Sequence, residues 1–378
     1  MSQAALEAIF KQQFGGEPEV RTIAPGRINL IGEHTDYNEG YVFPAAIDKQ
    51  LRVVARTTQG PSRLYSEELG EGEPFRVEEL WQGSVEGWAA YVAGVAWALR
   101  QHGFEDLPNI EAALDSDIPI GSGVSSSAAL ELAFAVLWNE IARLALDSRE
   151  LAKIGQYCEN RFVGVNSGIM DQMASAMGRA GHALFLDTKT LEIHYARLPA
   201  GVTIVLCDTS KPRALTDSAY NERRSQCEEA ARKLEVTSLR HASPEKVESA
   251  RSMLGDLMYR RAKHVVTENE RCVRFRDALE RGDLSVLGPL MRQSHESLRL
   301  DYEVSSPELD AMAEAASAAP GCLGARMTGA GFGGACVALV EQARLQDFMS
   351  ATTREYSSRT RLEPSLLACE AVDGARVL

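Results

Sequence analysis

Between residues 118 and 146 the chain carries a pattern that few folds can hold. A short strand-like segment leads into the small-residue loop Gly121-Ser122-Gly123-Val124-Ser125-Ser126-Ser127, and an apolar run follows through Leu130, Leu132, Phe134, Val136, Leu137 and Ile141. That run predicts a helix from 127 to about 146, buried on most of its circumference and ending at Asp147-Ser148, which reads as the next helix's N-cap. Glycines in the loop permit close approach, and backbone amides at the helix start face an anion, which suits the phosphates of ATP. The loop lacks the lysine of a Walker A sequence and the glycine spacing of a dinucleotide fold. Taken alone, the segment reads equally well as a glycine-rich turn with a serine cap.

A second segment, Ala24-Pro25-Gly26-Arg27-Ile28-Asn29-Leu30-Ile31-Gly32-Glu33-His34-Thr35-Asp36-Tyr37-Asn38, crowds ionisable and hydrogen-bonding side chains between two apolar runs that read as strands. Rigidly held polar residues of this kind suit a small polar ligand. Glu33, His34 and Asp36 offer acceptors and a switchable donor to hydroxyl groups, and a buried carboxylate discriminates between hydroxyl-bearing ligands because a misplaced hydroxyl leaves it unpaired. His34 read alone is a satisfied core histidine, the commoner case for a lone histidine. A third segment, Met327-Thr328-Gly329-Ala330-Gly331-Phe332-Gly333-Gly334, is too glycine-rich for a helix or strand interior and implies close backbone approach.

With 378 residues, 45% hydrophobic and 25% charged, the chain is long enough for two domains with sizeable cores. Its formal net charge of −13 argues against non-specific binding to nucleic acid or anionic membranes, which would need basic surface. Seven cysteines, scattered from Cys158 to Cys369 without a Cys-x-x-Cys pair, fit reduced thiols in a cytoplasmic protein, with no structural metal expected. The amphipathic stretch 1–14 lacks the apolar core of a signal peptide, and no apolar run approaches the roughly 20 residues that span a bilayer.

Strand-like runs at 51–56 and 110–114 make the N-terminal half mixed α/β, and residues 66–74 read as a solvated loop. After the strand-like run 202–206 the chain becomes largely helical from 216 to about 300, with a Ser243-Pro244 helix start. The glycine-rich segment 321–334 then feeds a strand at 335–340. The expectation is an α+β protein of two domains, 1–200 and 201–378, with mixed β-sheets and helices.

The run 24–38 closely resembles the N-terminal signature of galactokinases, sugar kinases of the GHMP superfamily. Residues 118–130 resemble that superfamily's phosphate loop and 327–334 its third motif; the three follow the family's order and together span most of the chain. The resemblance implies a two-domain GHMP kinase-like fold with the active site in the cleft between the domains. It also implies transfer of a phosphoryl group from ATP to the anomeric hydroxyl of α-D-galactose, giving the 1-phosphate and ADP.

By the same resemblance, Glu33, His34, Thr35, Asp36 and Tyr220 contact the sugar, while Gly121, Ser122, Gly123, Val124, Ser125, Ser126 and Ser127 hold the nucleotide's phosphates. Ser127 and Glu159 coordinate Mg²⁺, which favours such hard oxygen ligands. Ser66 is assigned to the nucleotide. Asp171, in Gly168-Ile169-Met170-Asp171-Gln172, is the base facing the anomeric hydroxyl, and Arg27 holds that carboxylate ionised and stabilises the transferring group. Read alone, Glu159 is a helical surface acid, Asp171 a helix cap and Tyr220 a residue packing a helix start.

The chain departs from the family pattern at Ser122, where glycine is common, at Val124, where leucine is common, and at Ser167, where cysteine is common; the first two imply altered loop flexibility. The expected partners are galactose and ATP, with no nucleic acid or membrane, and the expected assembly is a monomer. A kinase for N-acetylgalactosamine or arabinose is the nearest rival reading. A non-catalytic galactose sensor is the other, and Ser125 to Ala129, Glu159 and Asp171, all present, speak against it.

Overall fold

In chain order the elements are α1 (Gln3–Phe14), β1 (Val20–Asn29), β2 (Tyr41–Val42), β3 (Pro44–Thr58), β4 (Arg63–Ser66), β5 (Gly70–Glu71), α2 (Ala89–Gln101), β6 (Asn109–Ser116), α3 (Ser126–Ile141), α4 (Ser148–Cys158), α5 (Met170–Met177), β7 (His182–Asp187), β8 (Ile193–Arg197) and β9 (Val202–Asp208). Then follow α6 (Thr216–Lys233), α7 (Pro244–Ser249), α8 (Arg251–Arg281), α9 (Leu287–Ser297), α10 (Pro307–Ala318), β10 (Cys322–Thr328), β11 (Ala335–Glu341), α11 (Leu345–Thr360), β12 (Ser365–Cys369) and β13 (Arg376–Val377). This computed structural model describes residues 1–119, 121–211 and 216–378, and side chains for all of these except 216–218. Ile120 of the expected phosphate segment and the Ser218 side chain beside Tyr220 therefore lie outside the described residues.

Among the described residues the strands form three sheets: β13-β1-β3-β6-β4-β5, β10-β11-β9-β12 and β2-β7-β8. The α+β expectation holds. The division expected at residue 200 falls just before β9, and the chain's last strand returns to pair antiparallel with β1, Thr22 opposite Val377.

One irregularity in the first sheet positions the site. The β1–β3 ladder shifts register between Pro25 and Arg27. Proline cannot donate to a ladder, and Gly26 lies so close to the phosphate loop that a Cβ there would stand 2.7 Å from the Val124 carbonyl oxygen. The bulge frees the Arg27 N–H, which donates to Val124 O at 3.0 Å and ties the loop to the strand.

Helix α3 runs beneath this sheet with every residue from Ala128 to Trp138 buried, as its all-round apolar pattern requires. Each fully buried Leu or Phe of this kind contributes on the order of 1.5–3 kcal/mol against exposure. The helix stops at Ile141, short of the expected 146, because the Asn139 side chain bonds both polar groups of Leu146 (3.0 and 3.1 Å) and folds the intervening residues into a loop. Asp147 then caps α4 in a reciprocal pair with Glu150.

The C-terminal sheet is a wall between two cores. Along β9, Ile204 and Leu206 pack into the core shared with the N-terminal elements, while Val205 and Cys207 pack against α6, α8, α10 and α11. Strand β11 alternates in the same way, Val337 and Leu339 to one side and Cys336, Ala338 and Val340 to the other. A strand buried on both faces reads as a continuous apolar run, which is how 202–206 and 335–340 stand in the sequence. Ser243 caps α7 as expected. The stretch 66–74 is not wholly loop: it folds back as the short strand β5 onto β4, because Gly72 N–H finds the Leu64 carbonyl at 3.0 Å. No helix among the described residues is long and apolar enough to cross a membrane.

Candidate active site

A cleft of about 230 Å³ opens where the three motifs converge. The N-terminal elements contribute Arg27, Glu33, His34, Asp36, Gly121, Gly123 to Ser127, Glu159 and Asp171, and the C-terminal elements Tyr220, Gly329 and Ala330.

Asp171 stands in the first turn of α5 and faces the cleft. Its Oδ1 accepts from Nε and Nη2 of Arg27, each at 2.7 Å, and its Oδ2 accepts from the Ser125 hydroxyl. Arg27 is 4% exposed and gives its third nitrogen to the Gly123 carbonyl at 2.6 Å, so one guanidinium fixes both Asp171 and the phosphate loop. Ser125 holds a left-handed backbone, φ 61°, immediately before α3, leaving that helix's first amides to line the cleft. Such amides with the helix dipole form an anion site.

On the other wall, Glu33 joins the first motif to the third. Its Oε2 accepts from Asn29 Nδ2 at 2.8 Å, and its Oε1 accepts from Gly329 N–H at 2.5 Å and Thr328 Oγ1 at 3.1 Å. The buried Arg326 guanidinium stands 3.6 Å away.

His34 is not the switchable donor that its residue type suggests. Burial, more than any other cause, pushes its pKa down to about 3, so the ring stays neutral. Nε2 lies 3.1 Å from the Ala330 carbonyl, which can only accept, so the proton belongs on Nε2, and Nδ1 accepts from the Tyr37 hydroxyl at 2.7 Å. The chain of donors continues from Tyr302 to Tyr37 (2.7 Å) and from Cys227 to Tyr302 (3.0 Å). Tyr220 packs its ring 5.5 Å from His34 and 5.2 Å from Tyr37.

Asp36 is held close by the backbone: a Cβ on Gly168 would stand 1.9 Å from its Oδ2, so only glycine fits there. Its carboxyl is pushed up to about 7, first by burial and then by the charges of Asp171 and Glu33.

The three motifs that converge on this cleft have known counterparts. Residues 8–57 match the galactokinase galactose-binding signature, 90–179 the GHMP kinases N terminal domain and 275–357 the GHMP kinases C terminal domain. The galactokinase of Exiguobacterium sibiricum is 45% identical over 384 residues, covering 100% of this chain and 98% of that protein. The chain belongs to the galactokinase family. The galactokinase of a Roseiflexus species is 42% identical over 375 residues, covering 98% of this chain and 95% of that one. The crystal structure of Lactococcus lactis galactokinase complexed with galactose superposes with a TM-score of 0.95 at 38% identity, covering 99% of each chain. Methanococcus jannaschii mevalonate kinase, at 16% identity and a TM-score of 0.67, shares the fold.

Within this family member, the residues expected from sequence divide into two groups. Arg27, Glu33, His34, Asp36, Gly121, Gly123, Val124, Ser125, Ser126, Ser127, Glu159, Asp171 and Tyr220 are brought to one cleft. Three others are not. Thr35 is fully buried behind the wall, its hydroxyl between the carbonyls of Gly32 (2.9 Å) and Tyr41 (2.6 Å). Ser122 turns away to donate to Asp208 at the end of β9. Ser66 ends β4, where its hydroxyl accepts from Leu69 N–H at 3.4 Å.

The structure adds residues that no sequence pattern singled out. Arg326 sits beside Glu33, and Glu131 and Gln172 lie behind Glu159. All three are polar residues in buried positions, with partners too distant in sequence to leave a local signal. Ser167, noted in sequence only as a departure from the family pattern, is half-buried and donates to Glu159 Oε2.

The donor set fits a magnesium ion held jointly with phosphates. Ser127 Oγ donates to Glu159 Oε1 at 3.1 Å, and burial pushes the Glu159 carboxyl up, a penalty that a nearby cation would offset. No cluster of three or more His, Cys, Asp or Glu among the described residues forms a complete cage. Mg²⁺ needs none, since it keeps waters and phosphate oxygens in its octahedron.

The Asp36 environment sets a stability prediction. Its native pKa of about 7 lies above the ordinary 3.8, so the folded chain retains a proton that the unfolded chain has released. Stability contributed at this residue therefore falls as pH rises from about 4 to about 7 and stays low above that. Asp36→Asn should gain thermal stability over the parent at pH 8 and little at pH 4.5, measured by scanning fluorimetry. An equal difference at both pH values would refute the assignment.

Proposed function

We propose that this chain transfers the γ-phosphoryl group of ATP directly to the anomeric hydroxyl of α-D-galactose, giving galactose 1-phosphate and ADP. The observation that carries the reading is the Arg27 guanidinium bonded to both Asp171 and the phosphate loop, opposite the Glu33, His34, Asp36 and Tyr220 wall. The galactose complex of the Lactococcus lactis relative supports the sugar.

Asp171 keeps one acceptor site free, on Oδ2, after accepting from Arg27 and Ser125, enough to receive the sugar hydroxyl's proton and orient its oxygen toward the phosphate loop. Arg27 stays beside the developing charge, and the first amides of α3 hold the phosphates. Phosphoryl transfer passes through a loose transition state in which positioning and electrostatics dominate, so no phosphoenzyme is needed. Ser127 and Glu159 would hold Mg²⁺, which neutralises nucleotide charge when bound. Asp36, Glu33, His34 and Tyr220 select the sugar; Thr35 supports that wall from behind, and Ser122 anchors the nucleotide loop to Asp208. The proposal includes a cytoplasmic monomer, checked for mass by light scattering.

The direct test is ADP release with Mg²⁺-ATP across galactose, glucose, N-acetylgalactosamine and arabinose, with the product's phosphate located by NMR. Galactose is expected to dominate with an anomeric phosphate. Preference for another sugar would overturn the substrate, and galactose binding without turnover would overturn the activity in favour of a sensor.

A further inference from the structure

Glu131 is a carboxylate that the proposed chemistry leaves without a task. It lies on α3 between Leu130 and Leu132 with no exposed surface, and no Lys, Arg or His pairs with it among the described residues. An apolar side chain would fill the position without the cost of burying a carboxyl group. Its hydrogen-bond partner is Gln172, whose Nε2 reaches Glu131 Oε2 at 3.0 Å and Glu159 Oε2 at 2.9 Å. An amide NH₂ has two hydrogens, so one group spans the two carboxyls.

Two buried oxygens are left over, Oε1 of Glu131 and Oε1 of Gln172. They belong to side chains already bonded to each other. One proton on Glu131 Oε1, donated to Gln172 Oε1, would satisfy both atoms and make a carboxylic acid–amide pair. Burial and the charge of Glu159 push the Glu131 carboxyl well up, in the direction this pair requires. The space is tight: a Cβ on Gly155 would stand 3.1 Å from Gln172 Cγ and 3.3 Å from Glu131 Oε2. Gln172 therefore has little freedom to turn away.

We propose that Glu131 and Gln172 are positioning residues that fix the Glu159 carboxylate for the divalent cation bound with the nucleotide. Gln172 and Ser167 hold Oε2 of Glu159, leaving Oε1 on the Ser127 side. Outer partners of this kind orient a metal-binding carboxylate, and their loss weakens metal affinity by about 10–100-fold. The inference rests on the proposed Ser127–Glu159 cation site.

The test is a titration of the full chain with Mn²⁺ in the presence of a non-hydrolysable ATP analogue, read by electron paramagnetic resonance, with galactose affinity measured without metal by calorimetry. Glu131→Leu and Gln172→Met should each weaken Mn²⁺ binding about tenfold and leave galactose affinity unchanged. In turnover, they should raise the apparent KM for Mg²⁺ more than they lower kcat at saturating Mg²⁺. Glu131→Gln should restore Mn²⁺ affinity to within about twofold, because its amide supplies the donor to Gln172 Oε1 and the acceptor for Nε2.

Parent-like Mn²⁺ affinity in both Glu131→Leu and Gln172→Met would overturn the proposal, as would Glu131→Gln binding as weakly as Glu131→Leu. If Glu131→Leu does not fold, Gln172→Met decides. Glu159→Gln separates the two levels. Strong loss there with none in the other variants refutes the positioning role alone, whereas parent-like affinity in Glu159→Gln refutes the cation site and the positioning role with it.

Discussion

Asp171→Asn is expected to lower kcat by about 10³-fold, within the 10²–10⁴ range that general acid–base groups contribute. The substitution keeps the size of the side chain and removes its charge and half its acceptors. Asp171 receives two nitrogens of Arg27 on one oxygen and the Ser125 hydroxyl on the other, so an amide must turn an N–H toward one of these donors. Both the proton acceptor and the orientation of the phosphate loop suffer together, because Arg27 also holds Gly123 O. Galactose affinity, which the opposite wall supplies, should stay within about threefold by calorimetry, since interactions made only in the transition state affect kcat and not binding. Turnover within tenfold of the parent would remove Asp171 from the reaction.

Glu33→Gln should destabilise the fold by about 3 kcal/mol, at the low end of the cost of breaking a buried ion pair. Its carboxylate accepts from Asn29, Thr328 and Gly329, and a glutamine would point its NH₂ at one of these donors. Arg326, fully buried 3.6 Å away, would also lose a counter-charge, while Glu268 remains close enough to moderate the loss. The expected fall in Tm is roughly 5 °C or more, with loss of galactose affinity, because this side chain pins the third motif against the first. Unchanged Tm and affinity would show that the glycine-rich segment is held by other contacts.

The two variants separate roles that the sequence could not. Both acids stand near glycines in the sequence and both line the cleft, yet Asp171 keeps a more open face there, whereas Glu33 is 1% exposed and also bonds Asn29, Thr328 and Gly329. The same distinction applies to Thr35 and Ser122, which sit inside the site segments but turn their hydroxyls to Gly32, Tyr41 and Asp208. A neighbour on the opposite side of a chain reversal leaves no trace in local composition.

The sequence alone was sufficient for what depends on local period and local steric demand. The all-round apolar run of α3, the caps at Asp147 and Ser243, the strands at 202–206 and 335–340, and the glycine-bearing segments at 121–127 and 329–334 are legible because each follows from a few adjacent residues. Only the tertiary structure decided the length of α3, set by Asn139 reaching Leu146, and the neutral tautomer of His34, set by an Ala330 carbonyl 296 positions away. It alone joined Glu131, Gln172 and Glu159 through one buried amide, and returned the last strand to β1. Burial and long-range hydrogen bonding set charge state and orientation, and both are properties of which segments meet.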